Sequence, residues 1–271
     1  MSRVRSALMV WLTRLPGAWQ ESLCRWLAKG MATDALRDLL FRVAEARVER
    51  LSADDGLRFL FRLDDRLYKL QGRGAVRLGG GVHLKHRLMG YHDFFVGRVT
   101  SGERVLDVGC GNGALTRDMA ARAGCRVVGV ELNPQNVAEA KRRHPHPQVE
   151  YRHGDATRID GDLGVFDVVA LSNVLEHLPV RVAFLKRLVA QSGARRLLIR
   201  VPLFERDWRV PLKRELGVEW RLDTTHETEY TLESFQEEMH ASGLTITHLE
   251  VRWGEIWAEV RPVGDRAEVK A

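Results

Sequence analysis

The sequence lacks the features of a disulfide-rich or membrane-spanning protein. Only three cysteines occur among the 271 residues, and none of them forms a CxxC pair, which argues against a disulfide framework and a cysteine-rich metal site. No apolar run approaches the roughly 18 residues of a membrane-spanning helix. The short apolar run near the start ends at Arg14 with no small-residue cleavage site after it. These absences predict a cytoplasmic protein.

Charge is distributed unevenly along the chain. Apolar residues make up 45% and charged residues 29%, as in ordinary globular proteins. Residues 1–98 carry 18 Lys and Arg against 10 Asp and Glu, whereas the remainder carries 24 against 26. A basic N-terminal third could meet nucleic acid, an anionic membrane or a phosphorylated substrate, or it could be a solvated helix surface.

Residues 1–82 are predicted to form a helical extension. Apolar side chains recur there at steps of three and four, and Pro16 with Gly17 divides the pattern into short helices. One interpretation is a small bundle or dimer contact. The other is a peripheral helix on the inner face of an anionic membrane, with Trp11, Trp19 and Trp26 at the headgroups. A glycine cluster predicts a linker, and a further helix is predicted over 86–100. The glycines of this cluster are Gly72, Gly74, Gly79, Gly80 and Gly81.

Beyond residue 100 the pattern alternates between strand and helix. This alternation is typical of a doubly wound, mostly parallel α/β sheet, and the tight turn at Trp253 and Gly254 predicts an antiparallel hairpin at its end. We therefore predict one α/β domain over residues 83–262, followed by a tail at 263–271. Buried strands are predicted at 105–109, 127–132, 149–155, 166–172 and 196–202, and helices at 114–123, 134–143, 179–191 and 232–242.

A glycine-rich turn follows the first strand in VLDVGCGNGALT. Gly109, Gly111 and Gly113 let the backbone approach a ligand, and the helix start offers free amide donors. The same turn also fits the loose GxGxx(G/A) pattern of dinucleotide-binding enzymes. Glu131, at the end of the second strand, could bind ribose hydroxyls in either class. The turn alone leaves a nicotinamide enzyme and a sulfonium-cofactor enzyme both open.

Polar residues at other strand ends favour the sulfonium cofactor. The carboxylate of Asp107 suits the ammonium of an amino-acid tail and would repel a pyrophosphate. Asp155 and Ala156 follow the third strand and offer an acceptor and a backbone donor to an adenine. Asn173 follows the fourth strand. Alone, each such polar residue could have a merely structural role, such as capping a turn. Four of them around one crevice indicate a binding site. The four are Asp107, Glu131, Asp155 and Asn173.

The ordered set VLDVGCGNG, VVGVEL, GDA and LSNVLEHLP resembles that of class I S-adenosylmethionine-dependent methyltransferases, including those of quinone, sugar and surface-polysaccharide biosynthesis. The resemblance covers about residues 100–202 and, more weakly, the chain to 262. It implies a Rossmann-like, seven-stranded sheet whose last strand is antiparallel. It also implies a cofactor site with the methionine part at Asp107, the glycine turn and Asn173, the ribose at Glu131 with Leu132 beside it, and the adenine at Asp155 and Ala156.

A catalytic base is needed only if the acceptor is a hydroxyl or a protonated amine. Loops after the fifth strand border the acceptor side, so His226 is the first candidate. His177, which follows Glu176, is the second, although that pair could equally be packed and hydrogen-bonded. Tyr91, with His92, is the third. No metal site is predicted, because His83, His86 and His92 have no carboxylate or cysteine at ligand spacing.

The predicted acceptor is a small molecule, and the predicted acceptor group is the hydroxyl of a sugar or a lipid-linked glycan. No Asp/Asn-Pro-Pro-aromatic sequence follows the fourth strand, and no cysteine suits attack on a pyrimidine, so the sequence argues against nucleic acid. Two other functions stay open. One is an NAD(P)-dependent oxidoreductase. The other is a non-catalytic, S-adenosylmethionine-binding partner subunit.

Overall fold

The computed structural model describes residues 17–81, 83–158 and 164–264. The predicted helix over the first 15 residues, with Trp11, lies outside these ranges, as does most of the predicted tail. The chain divides into two compact units, one ending at Leu67 and the other beginning at Tyr68. The boundary predicted at residue 82 stays a prediction.

The first unit consists of helices. A shallow apolar groove of about 1230 Å³ lies between the second helix and the third, and its lining includes Leu40, Phe41 and Leu63. In the part of the chain that the structure describes, no helix is long and apolar enough to cross a membrane. The helices are α1 (Gly17–Gly30), α2 (Thr33–Val48) and α3 (Ala53–Leu78), and the last continues into the second unit.

The predicted linker at Gly72 and Gly74 is wrong, because both residues lie inside α3. Glycine costs about 1 kcal/mol at a helix interior position. Such a cost is tolerable in a 26-residue helix that otherwise contains good helix formers such as Leu and Arg. The helix ends only where Gly80 and Gly81 adopt positive φ angles of 64° and 100°, a conformation that favours glycine.

The second unit contains the predicted α/β sheet. Seven strands lie in the order β3-β2-β1-β4-β5-β7-β6, and β7 runs antiparallel to both of its neighbours. This arrangement confirms the predicted mostly parallel, Rossmann-like sheet with a C-terminal antiparallel hairpin. The strands are β1 (Arg104–Val108), β2 (Arg126–Glu131), β3 (Val149–His153), β4 (Val168–Ser172), β5 (Arg196–Pro202), β6 (Leu244–Arg252) and β7 (Glu255–Pro262).

Apolar side chains cover both faces of this sheet. In β1, Leu106 and Val108 belong to the cluster on one face and Val105 to the cluster on the other. Because side chains alternate along a strand, Asp107 shares the face of Val105. The flanking helices are α4 (Lys85–Met89), α5 (Tyr91–Val96), α6 (Ala114–Ala123), α7 (Pro134–Arg143), α8 (Arg181–Ser192), α9 (Arg209–Glu215) and α10 (Leu232–Ala241).

The segment before the sheet differs from the single helix predicted over 86–100. Gly90 has a φ of 63° and ends α4, and α5 begins at the next residue. A left-handed residue interrupts the helical hydrogen-bond ladder, so two short helices result. Phe94 and Phe95 of α5 pack into the core with Trp257 of β7, and this anchors the segment over the sheet.

Candidate active site

The predicted cofactor-site residues lie at or shortly after the carboxyl ends of β1, β2, β3 and β4. In a parallel sheet these ends meet at one edge, where open α/β sheets bind ligands. The parallel register pairs Asp107 of β1 with Gly129 of β2 and with Ala170 of β4. Glu131 is the last residue of β2, while the glycine turn and Asn173 directly follow β1 and β4. The sheet therefore brings them to the same edge.

Asp107 is a buried carboxyl group at the end of β1. Only 1% of the residue is exposed, and Thr116 Oγ1 of α6 donates a hydrogen bond to Asp107 Oδ2 at 2.6 Å. Burial raises the pKa of Asp107 to about 7, and the nearby charge of Glu131 adds to the rise. A cationic ligand would relieve this cost by favouring the ionised form, as expected of a group that binds an ammonium.

The three glycines of the turn differ in the space that surrounds them. All have positive φ angles of 55° to 81°. A Cβ at Gly109 would come within 2.8 Å of Val174 Cγ2, and one at Gly113 within 2.6 Å of the Tyr151 hydroxyl, whereas one at Gly111 would meet nothing within 4 Å. Gly109 and Gly113 are therefore required by packing. Gly111 is the glycine whose surroundings leave room for a ligand.

This difference predicts opposite outcomes for two alanine variants. Gly113→Ala should lower the free energy of unfolding by about 2–3 kcal/mol, because positive φ and overpacking both add cost. Gly111→Ala should lower it by only about 1 kcal/mol from the φ angle alone, yet should weaken cofactor binding about tenfold. Urea unfolding and calorimetric titration measure the two effects. Equal losses of stability in both variants would contradict the assignment.

Glu131 holds the glycine turn in place. Its Oε2 accepts a hydrogen bond from the backbone N–H of Gly111 at 3.0 Å, and its Oε1 accepts one from Asn133 at 2.9 Å. Each carboxylate oxygen has further lone pairs, so these bonds leave room for the predicted ribose contact. Leu132 follows and is 65% exposed, which suits the predicted contact with a bound cofactor.

Asp155 stabilises its own turn. Its Oδ1 accepts hydrogen bonds from the Thr157 N–H at 2.8 Å and from Thr157 Oγ1 at 2.6 Å, and these bonds lower the pKa of the carboxyl. Ala156 begins the single 3₁₀ turn that follows, Ala156–Arg158. Asp155 therefore caps a turn, which is the structural alternative considered from the sequence. Its contact with an adenine stays a prediction.

Buried oxygens without hydrogen-bond partners mark the loop after β4. Asn173 has a φ of 57°, and its backbone N–H donates to the Arg200 carbonyl at 2.8 Å. The side-chain Oδ1 of Asn173 and both carboxylate oxygens of Glu176 are buried and have no hydrogen-bond partner among the residues that the structure describes. Buried oxygens without hydrogen bonds are costly in a native protein, so these oxygens indicate that a ligand binds beside this loop. Burial raises the pKa of Glu176 to about 8.

The two histidine candidates lie together beside Glu176. The His177 and His226 rings are 4.7 Å apart between centroids in an edge-to-face arrangement. His226 is 5% exposed and its Nδ1 lies 3.1 Å from Glu229 Oε1, while His177 Nδ1 lies 3.0 Å from Thr225 Oγ1. Burial, with the nearby His226, lowers the pKa of His177. The loops after β4 and β5 thus form one polar cluster.

Sequence reasoning did not assign Glu176 and Glu229 to the site. The alternative of a hydrogen-bonded pair between the Glu176 and His177 side chains does not hold, since the Glu176 carboxylate has no hydrogen-bond partner among the described residues. The backbone carbonyl of Glu176 instead accepts from the N–H groups of Glu227 and Thr228 at 2.8 and 3.2 Å. These bonds join the two loops. The adjacent Glu176 and His177 were visible as candidate site residues in the sequence. Their contact with the loop after β5 could not be predicted from it.

Tyr91 and His92 have different surroundings. The Arg200 guanidinium lies 3.9 Å from the centre of the Tyr91 ring. Burial raises the pKa of the Tyr91 phenol, and the charge of Asp107 adds to the rise. His92 Nδ1 lies 2.7 Å from Asp118 Oδ2. His92 is therefore engaged with α6, and a catalytic role for Tyr91 stays a prediction.

Comparison with known proteins identifies the class of this domain. Residues 105–191 match the family model described as a methyltransferase domain. The chain is 31% identical over 153 residues to 2-methyl-6-phytyl-1,4-hydroquinone methyltransferase of Synechocystis sp., which covers 53% of this chain and 46% of that protein. It is 34% identical over 132 residues to ubiquinone biosynthesis O-methyltransferase of Bradyrhizobium diazoefficiens, with 46% and 51% covered. The chain thus spans about half the length of these curated relatives.

Solved structures agree on the fold. Magnesium protoporphyrin IX methyltransferase from Synechocystis, crystallised with bound SAH, has a TM-score of 0.52 to this chain at 20% identity, with 64% of this chain and 83% of that chain covered. The sheet thus has the class I methyltransferase fold that the motifs predicted, and residues 105–191 match a methyltransferase domain. Within that class it is similar to methyltransferases of small molecules, and the comparisons support S-adenosylmethionine as the predicted cofactor.

Proposed function

We propose that this chain transfers a methyl group from S-adenosylmethionine to a hydroxyl group of a small molecule. One juxtaposition carries the proposal. The open glycine turn beside buried Asp107 lies at the same sheet edge as the polar cluster of Glu176, His177 and His226. The first part suits the amino-acid tail of the cofactor, and the second suits an acceptor that must lose a proton.

The residues of the chain act mainly by positioning. When bound, S-adenosylmethionine supplies a methyl group that is already activated for in-line displacement. Asp107 would bind the ammonium of the cofactor, and Glu131 the ribose hydroxyls. Alignment of the two reactants can account for about 7–11 kcal/mol of the barrier. Removal of the hydroxyl proton falls to the cluster of Glu176, His177 and His226.

The relatives favour a particular kind of acceptor. One of the two curated relatives is named as a hydroquinone methyltransferase and the other as an O-methyltransferase of ubiquinone biosynthesis, so we propose a phenolic or hydroquinone hydroxyl as the first acceptor to test. Neither relative is named for a sugar or a glycan, which leaves the predicted glycan acceptor without support from them. An acceptor panel should contain both classes, with turnover followed by transfer of the labelled methyl group.

Two binding measurements separate this proposal from the open alternatives. Calorimetric titration should show S-adenosylhomocysteine binding and no binding of NADH. The reverse result would favour the oxidoreductase. Cofactor binding with no methyl transfer to any member of the panel would favour the non-catalytic subunit.

His226→Ala is expected to lower kcat on the accepted substrate about 100-fold, because loss of proton removal costs roughly 10²-fold or more. Cofactor affinity should change little, since the residue belongs to the acceptor side. The matched control is His240→Ala, an exposed histidine in α10. Steady-state kinetics and cofactor titration measure both variants. An unchanged kcat in His226→Ala would remove this residue from the reaction.

A further inference from the structure

The side chains of the polar cluster are close enough together to bind a metal ion. The cluster consists of Glu176, His177 and His226. Each of the three side chains offers one ligand atom, and these atoms all lie within 4.8 Å of one another. It is the one such group of three or more metal-ligating side chains found among the described residues. The histidines considered from the sequence, at 83, 86 and 92, do not form such a group.

The Glu176 carboxylate lacks a partner within the part of the chain that the structure describes. The residue is 0% exposed, and neither carboxylate oxygen has a hydrogen-bond partner there. A buried carboxylate that lacks both a counter-ion and hydrogen bonds is expensive. A cation bound beside it would satisfy both oxygens and would explain why the fold keeps this carboxyl group inside.

The two imidazoles are oriented as metal-ligating histidines usually are. His226 Nδ1 lies 3.1 Å from Glu229 Oε1, and His177 Nδ1 lies 3.0 Å from Thr225 Oγ1. A hydrogen bond at one ring nitrogen fixes the tautomer and leaves the other nitrogen for the metal. Glu229 is itself held by Arg206 and by the backbone N–H of Leu222. The second imidazole nitrogen, Nε2, is thereby left as the ligand atom in each ring.

We propose that Glu176, His177 and His226 bind one divalent transition-metal cation, with Zn²⁺ as the best match. Two imidazoles and one carboxylate form a ligand set typical of catalytic zinc sites, which keep a further coordination position open. Zinc–ligand distances of about 2.0–2.2 Å require the three ligand atoms to lie closer together than the 4.8 Å within which they are found, so binding would draw the three side chains inward.

The open coordination position could bind the acceptor during methyl transfer. This role of the metal rests on the proposed function. A hydroxyl bound to Zn²⁺ ionises far more readily than a free one. An acceptor hydroxyl at that position would lose its proton to solvent, and its oxygen would then attack the methyl group. His226 would act as a ligand rather than as the base. Binding of the cation itself does not depend on this step.

The test uses the full chain freed of metal by a chelator and then titrated with Co²⁺, whose visible absorption reports nitrogen and oxygen coordination. We expect one equivalent to bind, and Zn²⁺ to displace it. Glu176→Gln and His226→Ala should each weaken Co²⁺ binding at least 100-fold. Glu229→Gln should weaken it about 10–100-fold, as loss of a residue that orients a ligand does. His240→Ala should bind normally.

Circular dichroism and S-adenosylhomocysteine titration serve as fold controls for every variant. Absence of stoichiometric Co²⁺ binding in the unmutated chain would overturn the proposal, and so would Co²⁺ binding by Glu176→Gln and His226→Ala that is as tight as in the unmutated chain. Methyl transfer is measured separately. Metal binding without transfer would refute the proposed function and leave the site intact, whereas transfer unaffected by chelation would refute the catalytic use of the metal.

Discussion

Asp107→Asn is expected to abolish measurable cofactor binding while it increases the stability of the chain. The substitution removes the carboxylate proposed to bind the cofactor ammonium, and we expect affinity for S-adenosylhomocysteine to fall at least 100-fold. The same carboxyl group is buried with a pKa raised to about 7. An amide of the same shape has no ionisation to suppress, so the substitution removes a cost of folding.

The stability gain depends on pH in a defined direction. The ordinary pKa of Asp107 is 3.8 and the folded value is about 7. Between these values the unfolded chain releases the proton while the folded chain retains it, so the unmutated protein loses stability as pH rises and loses no more above about 7. The gain of Asp107→Asn should thus grow from pH 4 to 7, to at most about 4 kcal/mol.

Urea unfolding at pH 5 and pH 8 without cofactor measures this gain. The other ionisable groups near Asp107 are Glu131, Tyr91, Cys110 and Tyr151, and all four are retained in the variant. Thr116→Val is a matched control, because it removes the hydrogen bond and keeps the carboxyl group. A gain that is equal at both pH values would contradict the raised pKa of Asp107. Undiminished cofactor affinity in Asp107→Asn would contradict its binding role.

The sheet and the glycine turn were predictable from sequence because they depend on local patterns. Fully buried parallel strands appear as short apolar runs, such as the one that ends at Val108, and a turn with several positive φ angles requires glycines. The number of strands followed from the family resemblance rather than from these patterns, and the strand order is seen only in the structure.

The sequence was less informative where one residue has two common structural roles. Glycine is found both in linkers and inside long helices, so the flexible interpretation of Gly72 and Gly74 was wrong. Gly90 was overlooked as the residue that divides α4 from α5. Only the φ angle of each residue distinguishes these roles, and that angle depends on the surrounding tertiary structure.

The polar cluster was only half visible in the sequence. His177 and His226 were each identified as candidates, but their proximity depends on hydrogen bonds between two distant loops, such as that from the Glu227 N–H to the Glu176 carbonyl. The burial of Glu176 depends on the same convergence. A carboxyl group next to a histidine in sequence is common, whereas a buried and unpartnered one can be recognised only in the fold.

Arg200 and Glu255 form a buried ion pair at the strand ends that carry the site. The Arg200 Nε and Nη2 donate to the two oxygens of Glu255 at 2.6 and 2.7 Å, and Nη1 donates to Ser172 Oγ at 3.2 Å. Trp257 Nε1 also donates to Glu255 at 3.0 Å. With its guanidinium over the Tyr91 ring, Arg200 connects β4, β5, β7 and α5.

Arg200→Ala is therefore expected to lower the free energy of unfolding by about 3–5 kcal/mol, because Glu255 would be left buried and unpaired. The matched control is Arg261→Ala in β7, which removes a pair with Glu259 in which the arginine is 37% exposed. Such partly exposed pairs contribute less than about 1 kcal/mol. Urea unfolding measures both losses.

A double variant separates the cost of an unpaired charge from the cost of lost packing. Arg200→Met combined with Glu255→Leu keeps apolar volume and leaves no buried charge, so it should be more stable than Arg200→Ala alone, although Trp257 Nε1 loses its acceptor. If the double variant is as unstable as Arg200→Ala, packing of the arginine against Tyr91 is the dominant contribution. If Arg200→Ala loses no more than Arg261→Ala, the pair does not stabilise these strand ends.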